Sequence, residues 1–323
     1  MKRIILVILL ICYFVNWLIN PAYAQSKNDF SLSISPSILE IEAHSPANPQ
    51  SQLTIQNKSE KDITLDVLLK AFTQDALGTG VVNYLPKQES DQKLSPLINR
   101  IEIIDSGQNV SKIKLAPFES KNIQVNINAD TNLPTGDYYF SILFVKEDNK
   151  KSSKSVVDAG GGVGAHVILS VSNNKDFFGR IVEFKAPSLL SHGPVSFKLL
   201  LQNSSDRYSI PRGRIEIKDM FGASLPRVYI LPQYLLARSN RYMIDIDKKG
   251  LSTSSIIWPD KFLFGIYKAT AIIKLSEKSP ALTKSTYFIG IPYVVIFSFS
   301  LIAFIICGIY LRIRRKYNIT KKT

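Results

Sequence analysis

The stretch LTIQNKSEKDITLDVLL, residues 53–69, decides the fold class. Ile63, Leu65 and Val67 alternate with Asp62, Thr64 and Asp66. A period of two puts apolar side chains on one face of an extended strand and polar ones on the other. Just upstream, Leu53 and Ile55 alternate in the same way and run into Gln56-Asn57-Lys58-Ser59. Asn57 suits a turn there, because its short amide either satisfies turn backbone or tolerates a positive φ. The stretch reads as strand, turn, strand.

The same period recurs in NIQVNIN (122–128), with Ile123, Val125 and Ile127 on one face, and in AHVILSV (165–171), with Val167, Leu169 and Val171. Outside the two terminal apolar segments, no amphipathic pattern reaches 12 residues. Short half-buried strands divided by turn residues predict an all-β chain of antiparallel, immunoglobulin-like sandwiches. In FSLSISPSILEIEA (30–43) the apolar phase is even up to Ile34 and odd from Leu39 to Ile41. Pro36 sits at the change, as expected where an edge strand breaks and crosses from one sheet to the other.

Working outward, the opening stretch has a counterpart. LLLQNSSDRYSI (199–210) repeats the apolar strand, the Gln-Asn-x-Ser turn and the return, placing Asn203 where Asn57 stands. A second match follows in the same order: LPTGDYYFSILF (133–144) aligns with FLFGIYKATAII (262–273), pairing Gly136 with Gly265 and Tyr138 with Tyr267. Two tandem domains are expected, residues 25–174 and 175–284. LPTG at 133–136 lacks one residue of an LPxTG sorting signal and precedes a strand, so it reads as a turn. Gly-x-Tyr after it fits a corner in which the tyrosine ring packs in the core and its hydroxyl caps loop backbone. IEIKDMFGASL (215–225) reads as strand, Asp219-containing turn with Gly222, and strand. DALGTGVVNYLP (75–86) reads as extra material with a small hairpin, Val81–Tyr84. EDNKKSSKSVVDAGGGVG (147–164) reads as a long polar loop, the kind of segment in which binding residues concentrate.

The termini fix the expected compartment. Lys2 and Arg3, the apolar run Ile4–Ile19, Pro21, and Ala22 and Ala24 before Gln25 form a secretory signal peptide over residues 1–24. Ile11 is too bulky for a lipoprotein reading of Cys12. Tyr287–Leu311 is 25 residues without a charge, enough at ~1.5 Å per residue to cross a ~30 Å hydrocarbon core. Tyr287, Tyr293, Tyr310 and Tyr317 flank it, and the basic tail, 312–323, follows. The positive-inside rule then holds the tail in the cytoplasm and the rest outside, in a single-pass cell-membrane protein. The net charge of +14 shrinks once eight terminal basic residues are set aside, leaving 32 basic against 26 acidic. That balance gives no reason to invoke nucleic acid and permits weak attraction to anionic polymers or lipid head groups. Cys12 and Cys307 are the only cysteines, so the exported part is expected to fold without a disulfide.

Catalytic patterns are not found. His44, His166 and His192 stand alone, without metal-ligand spacing. No Gly-x-Ser-x-Gly elbow occurs, and Gly160–Gly164 lacks the Lys-Ser/Thr of a phosphate loop and precedes a strand. No catalytic, cofactor-binding or metal residue is expected, and no cofactor.

The layout of signal peptide, two sandwiches, one span and a basic tail resembles the WxL-interacting proteins of Gram-positive cell surfaces. The resemblance is carried by FSLSISPS (30–37), LTIQNKSEKDITLDV (53–67), GTGVVNY (78–84), LAPFESKNIQVNI (115–127) and GGVGAHVILSV (161–171). The chain departs from that family at GDYYFSILF (136–144), and its second domain matches only in position and class. The resemblance implies a bacterial, non-catalytic protein binding a cell-wall polymer or a partner surface protein. A chaperone-like assembly factor for surface proteins or pili, and a membrane-tethered wall-modifying enzyme, are the other readings. A free edge strand would favour the chaperone, and convergent carboxylates in a cleft the enzyme.

Overall fold

The structure, a computed structural model, describes residues 31–75, 77–146, 161–171, 176–245 and 255–320. The expected signal peptide lies outside them. In the first sandwich the strands are β1 (Leu32–Ser35), β2 (Ile38–Ala43), β3 (Gln50–Asn57), β4 (Ile63–Gln74) and β5 (Val82–Tyr84). After helix α1 (Lys87–Leu94) come β6 (Ile101–Asp105), β7 (Gln108–Asn109), β8 (Lys112–Leu115), β9 (Ser120–Ile127), β10 (Gly136–Lys146) and β11 (Gly162–Val171). The second sandwich holds β12 (Gly179–Lys185), β13 (Leu189–Leu190), β14 (Val195–Asn203), β15 (Arg212–Lys218) and β16 (Val228–Tyr229). It closes with β17 (Asn240–Met243), β18 (Ile256–Trp258), β19 (Gly265–Lys274) and β20 (Leu282–Gly290), and helix α2 (Tyr293–Thr320) leaves from its end.

One sheet of the first sandwich runs β1-β3-β9-β6-β7 and the other β2-β11-β10-β4-β5, with β8 also on β4. Period-two alternation fills the space between them: Leu53, Ile55, Leu65, Ile123, Val125 and Val167 are all buried. β1 pairs with β3 in one sheet and β2 with β11 in the other, so the chain changes sheets at Pro36. The β2–β11 pairing is parallel, as is β13–β20 in the second sandwich. These are the exceptions to the expected antiparallel order. Each arises because the early strand, having changed sheets, meets the last strand of its domain running the same way.

The repeat is structural. Asn57 and Asn203 are fully buried at the ends of β3 and β14. Asn57 Nδ2 donates to Lys61 O at 2.8 Å and Ala116 O at 2.9 Å, while its Oδ1 accepts Ser59 N at 2.9 Å. Asn203 Nδ2 donates to Arg207 O at 2.7 Å and Leu236 O at 3.1 Å, and its Oδ1 accepts Ser205 N at 2.9 Å. Of the two roles open to these residues, satisfying turn backbone is the one used. Gly136 and Gly265 begin β10 and β19 with φ of +144° and +97°. Tyr138 Oη donates to Pro134 O at 2.8 Å, and Tyr267 Oη accepts Phe264 N at 2.9 Å. The corners differ in burial. Tyr267 is 6% exposed and stacks on Phe288 with centroids 5.0 Å apart, whereas Tyr138 is half-buried at the edge of its core.

Three expected boundaries move. Tyr287–Gly290 belong to β20 and not to a span, so the second sandwich runs past 284 and α2 starts at Tyr293. The uncharged run begins early because Phe288 is buried and the residues around it finish a strand. Within α2, Ile296–Arg314 is a 19-residue window of mean hydropathy 2.2 with none of it buried, long and apolar enough to cross a membrane. The expected loop 147–164 ends sooner, since Gly162–Gly164 are the first residues of β11. A Cβ at Gly162 would lie 2.6 Å from Phe144 O, and one at Gly164 2.6 Å from Leu143 Cδ2, so close contact with β10 explains glycine there. Residues 147–160 lie outside the described segments.

Candidate functional site

The two sandwiches meet through polar groups. Asp137, the second residue of β10, accepts the Ser170 hydroxyl on Oδ1 at 2.6 Å and the Tyr139 hydroxyl on Oδ2 at 2.9 Å. Oδ2 also accepts the backbone N–H of Tyr208 from the second sandwich. Beside it, Arg207 is 7% exposed, donating Nε to Ser170 Oγ at 2.9 Å and Nη2 to Glu42 Oε1 at 3.1 Å. Tyr139 Oη in turn accepts Ala237 N at 2.9 Å. Glu40 and Glu42 share the outer face of β2 by their spacing of two, and Glu40 takes the hydroxyls of Tyr208 and Tyr234. Burial, then nearby carboxylates, hold Tyr139 and Tyr208 far above the ordinary phenol range. Burial and the Glu40 hydrogen bond push Tyr234 up to about 12. All three therefore remain hydroxyl donors at physiological pH.

The extra segment of the first sandwich makes a second contact. Asp75 accepts Thr79 N at 3.0 Å, Thr79 Oγ1 at 2.9 Å and Gly80 N at 3.0 Å, folding the loop between β4 and β5. Burial raises the Asp75 pKa, but these donors outweigh it and the net shift is downward. Gly78 O, on the same loop, accepts Tyr242 N of β17 at 2.7 Å. Gly80 has φ +83°, and a Cβ there would sit 2.5 Å from Arg241 Nη2. Gln74 Oε1 accepts Ser239 Oγ at 2.8 Å. The expected hairpin at Val81–Tyr84 is thus present as β5 on β4, and its turn is the strut between domains.

A cleft of about 810 Å³ lies on one side of the junction, between Phe72, Lys93, Tyr138 and Arg238. The carboxylate of Asp137 at its base is occupied by three donors. Three donors from both sandwiches fill most of its acceptor positions, so it ties the two domains together. A separate polar cluster lies on the outer face of the β2-β11-β10-β4-β5 sheet. There Ser141 Oγ is 2.7 Å from His166 Nδ1 and accepts the Tyr84 hydroxyl at 3.2 Å. Burial lowers the His166 pKa, and Phe72 packs edge-on to its ring at 5.2 Å. Ser141 is fully buried, its hydroxyl shared between His166 and Tyr84. His44 and His192 lie elsewhere, and among the described residues no three His, Cys, Asp or Glu side chains gather as metal ligands.

A backbone feature completes the picture. β10 covers β11 along its whole length on one side, from Gly162 to Val171. On the other side β2 reaches only His166–Val171. Among the described residues nothing pairs with the outer edge of Gly162–Ala165, and β1, the edge of the facing sheet, runs alongside.

The sequence did not point to Asp137 or Arg207 as junction residues. Asp137 stands between the Pro-Thr-Gly turn and the apolar run that starts at Tyr138, and Arg207 falls in the repeated turn where the first domain has Lys61. Those positions are the only signals a single sequence offers.

No family model matches the chain, and no curated protein matches it. Among solved structures it is similar to the class 5 fimbriae chaperone CfaA at 8% identity and a TM-score of 0.38, covering 81% of this chain and 100% of that one. The Pseudomonas aeruginosa CupB2 chaperone aligns at 8% identity and a TM-score of 0.35, over 78% and 98%. The CsuC–CsuE chaperone–tip adhesion subunit complex of Acinetobacter baumannii gives 15% identity and a TM-score of 0.33, over 71% and 96%. Folds of this kind host many unrelated functions.

Proposed function

We propose that the chain is a membrane-held, non-catalytic protein that binds a partner surface protein in a chaperone-like or assembly role, taking an extended segment of the partner against Gly162–Ala165. The observation that carries this is the half-paired β11. Among the described residues no strand lies on the outer side of Gly162–Ala165, and an added strand satisfies the main-chain groups that such an edge directs outward. An ectodomain outside and a basic tail inside agree with the charges around α2, and the resemblance to WxL-interacting proteins points to the same placement.

The test is photo-crosslinking in cells of the source species. A crosslinking residue replaces Ser33 on β1, the edge of the facing sheet, or Lys146, whose N–H donates to Gly161 O just before β11, and Tyr229 on β16 serves as a distant control. The expected result is an adduct to one exported protein from 33 and 146 and none from 229. Adducts to wall polymer from those positions would transfer the reading to polymer binding. No adduct above the control would overturn it.

A further inference from the structure

The end of the second sandwich from which α2 departs carries large apolar side chains that the described chain does not cover. β20 ends at Gly290 opposite Gly265, and only Ile291 and Pro292 precede α2. That link is pinned, with Ile291 N donating to Leu190 O at 2.8 Å and Tyr293 N to Ile291 O at 2.7 Å. The loop after β15 turns back at the same end, and a Cβ on Gly265 would meet Met220 Sδ at 2.7 Å. The segment leading into β19 adds Phe262 and Phe264.

Phe221 is 84% exposed, Phe262 63% and Phe264 56%, and the cross-strand pair Ile266 and Ile289 also faces outward. Scattered exposed apolar residues are ordinary, but a cluster drawn from two loops and a strand pair is not. The fold does not need the Phe221 ring. Its turn is built by Asp219 Oδ1, which accepts Phe221 N at 2.9 Å and Ala223 N at 2.8 Å, and by Gly222 at φ +84°.

We propose that this end of the second sandwich sits in the interfacial layer of a lipid bilayer, with Met220, Phe221, Phe262 and Phe264 entering the boundary between head groups and acyl chains around the root of α2. The inference rests on reading α2 as a membrane span. Continuity with that helix selects lipid as the occupant. A bilayer that takes up an unburied apolar helix meets these side chains within a two-residue link of its start. Lys218, Lys261 and Lys268 are exposed at the same end, where long cationic side chains reach lipid phosphates while their stems cover apolar surface.

The test uses the full chain with Cys12 and Cys307 replaced by Ser, reconstituted in phosphatidylcholine–phosphatidylglycerol nanodiscs. Single spin labels are placed at 223 and 261, beside the phenylalanines and leaving them intact, at 304 within α2, and at 277 at the opposite end of the sandwich. Collision with oxygen and with a water-soluble nickel chelate reads depth. Label 304 is expected to be deep, 277 aqueous, and 223 and 261 shielded from the chelate, with the shielding lost in Phe221→Ser/Phe262→Ser. If 304 is deep while 223 and 261 collide with the chelate as freely as 277, the inference fails and the span stands. If 304 is aqueous, both fail.

Discussion

Asp137 accepts the main-chain N–H of Tyr208 across the domain junction, through the same oxygen that takes the Tyr139 hydroxyl. One carboxylate therefore ties a strand of the first sandwich to a turn of the second. Asp137→Ala should leave these donors unpaired, at roughly 1–3 kcal/mol for each one that stays buried. The expected outcome is that a single thermal transition splits into two, one for each sandwich. Asp137→Asn, which keeps an acceptor in place, should fall between. Calorimetry of the full chain in detergent checks this, and one unsplit transition at an unchanged temperature would show that the junction adds nothing.

Alkali should loosen the same junction. Tyr139, Tyr208 and Tyr234 are all raised from 10, chiefly by burial and then by carboxylates. A raised folded value means the contribution is complete below pH 10 and is lost as pH rises through the folded value, about 12 for Tyr234. Phenolate absorbance, followed alongside the distance between one label on each sandwich, should show separation only above pH 10. In Tyr234→Phe the early part of the change should disappear.

Acid acts on the first sandwich through His166, whose pKa burial lowers from 6.5. Below 6.5 the unfolded chain takes up a proton that the folded chain refuses. The stability present above that value declines as pH falls through the folded value. His166→Gln should flatten the difference in stability between pH 7 and pH 5, approximate endpoints chosen around the ordinary imidazole value. Denaturant titrations at the two pH values check it, and identical slopes in both proteins would exclude His166.

The two tyrosine corners should not be equivalent. Tyr267→Ala removes a buried ring stacked on Phe288 and should cost roughly 3–5 kcal/mol. Tyr267→Phe, which loses one hydrogen bond, should cost about 1 kcal/mol. Tyr138→Ala should cost less than Tyr267→Ala, because the Tyr138 ring is only half-buried. Urea unfolding of each variant decides the order.

The strands, the sheet change at Pro36, the repeated Asn turns and the Gly-x-Tyr corners were legible because each depends on residues within a few positions of one another. Asn57 and Asn203 carry turn chemistry in their own side chains, and Leu53 and Ile55 carry their face in their spacing. Helix α1, KQESDQKL, was not legible: among its eight residues only Ser90 and Leu94 are buried, so no apolar period marks it. The junction was hidden for a different reason. Asp137 and Tyr208 lie 71 positions apart, and nothing local to either says that they meet. The end of β20 was misread because Tyr287–Gly290 are uncharged for the needs of a strand, a composition that also suits a lipid-crossing helix.

Ile291 and Pro292 leave the second sandwich almost no slack before α2. With the two sandwiches joined at Asp137 and Gly78, a chain held in a bilayer by α2, as proposed, would stand as a post, not as a bead on a string. A flexible tether would let the open edge of β11 sweep a volume set by linker length, with an effective concentration that falls as the linker grows. A post offers that edge at one height only. Partners anchored in the same membrane would then find it by lateral diffusion, and their density in the plane, not their bulk concentration, would set how often it is filled.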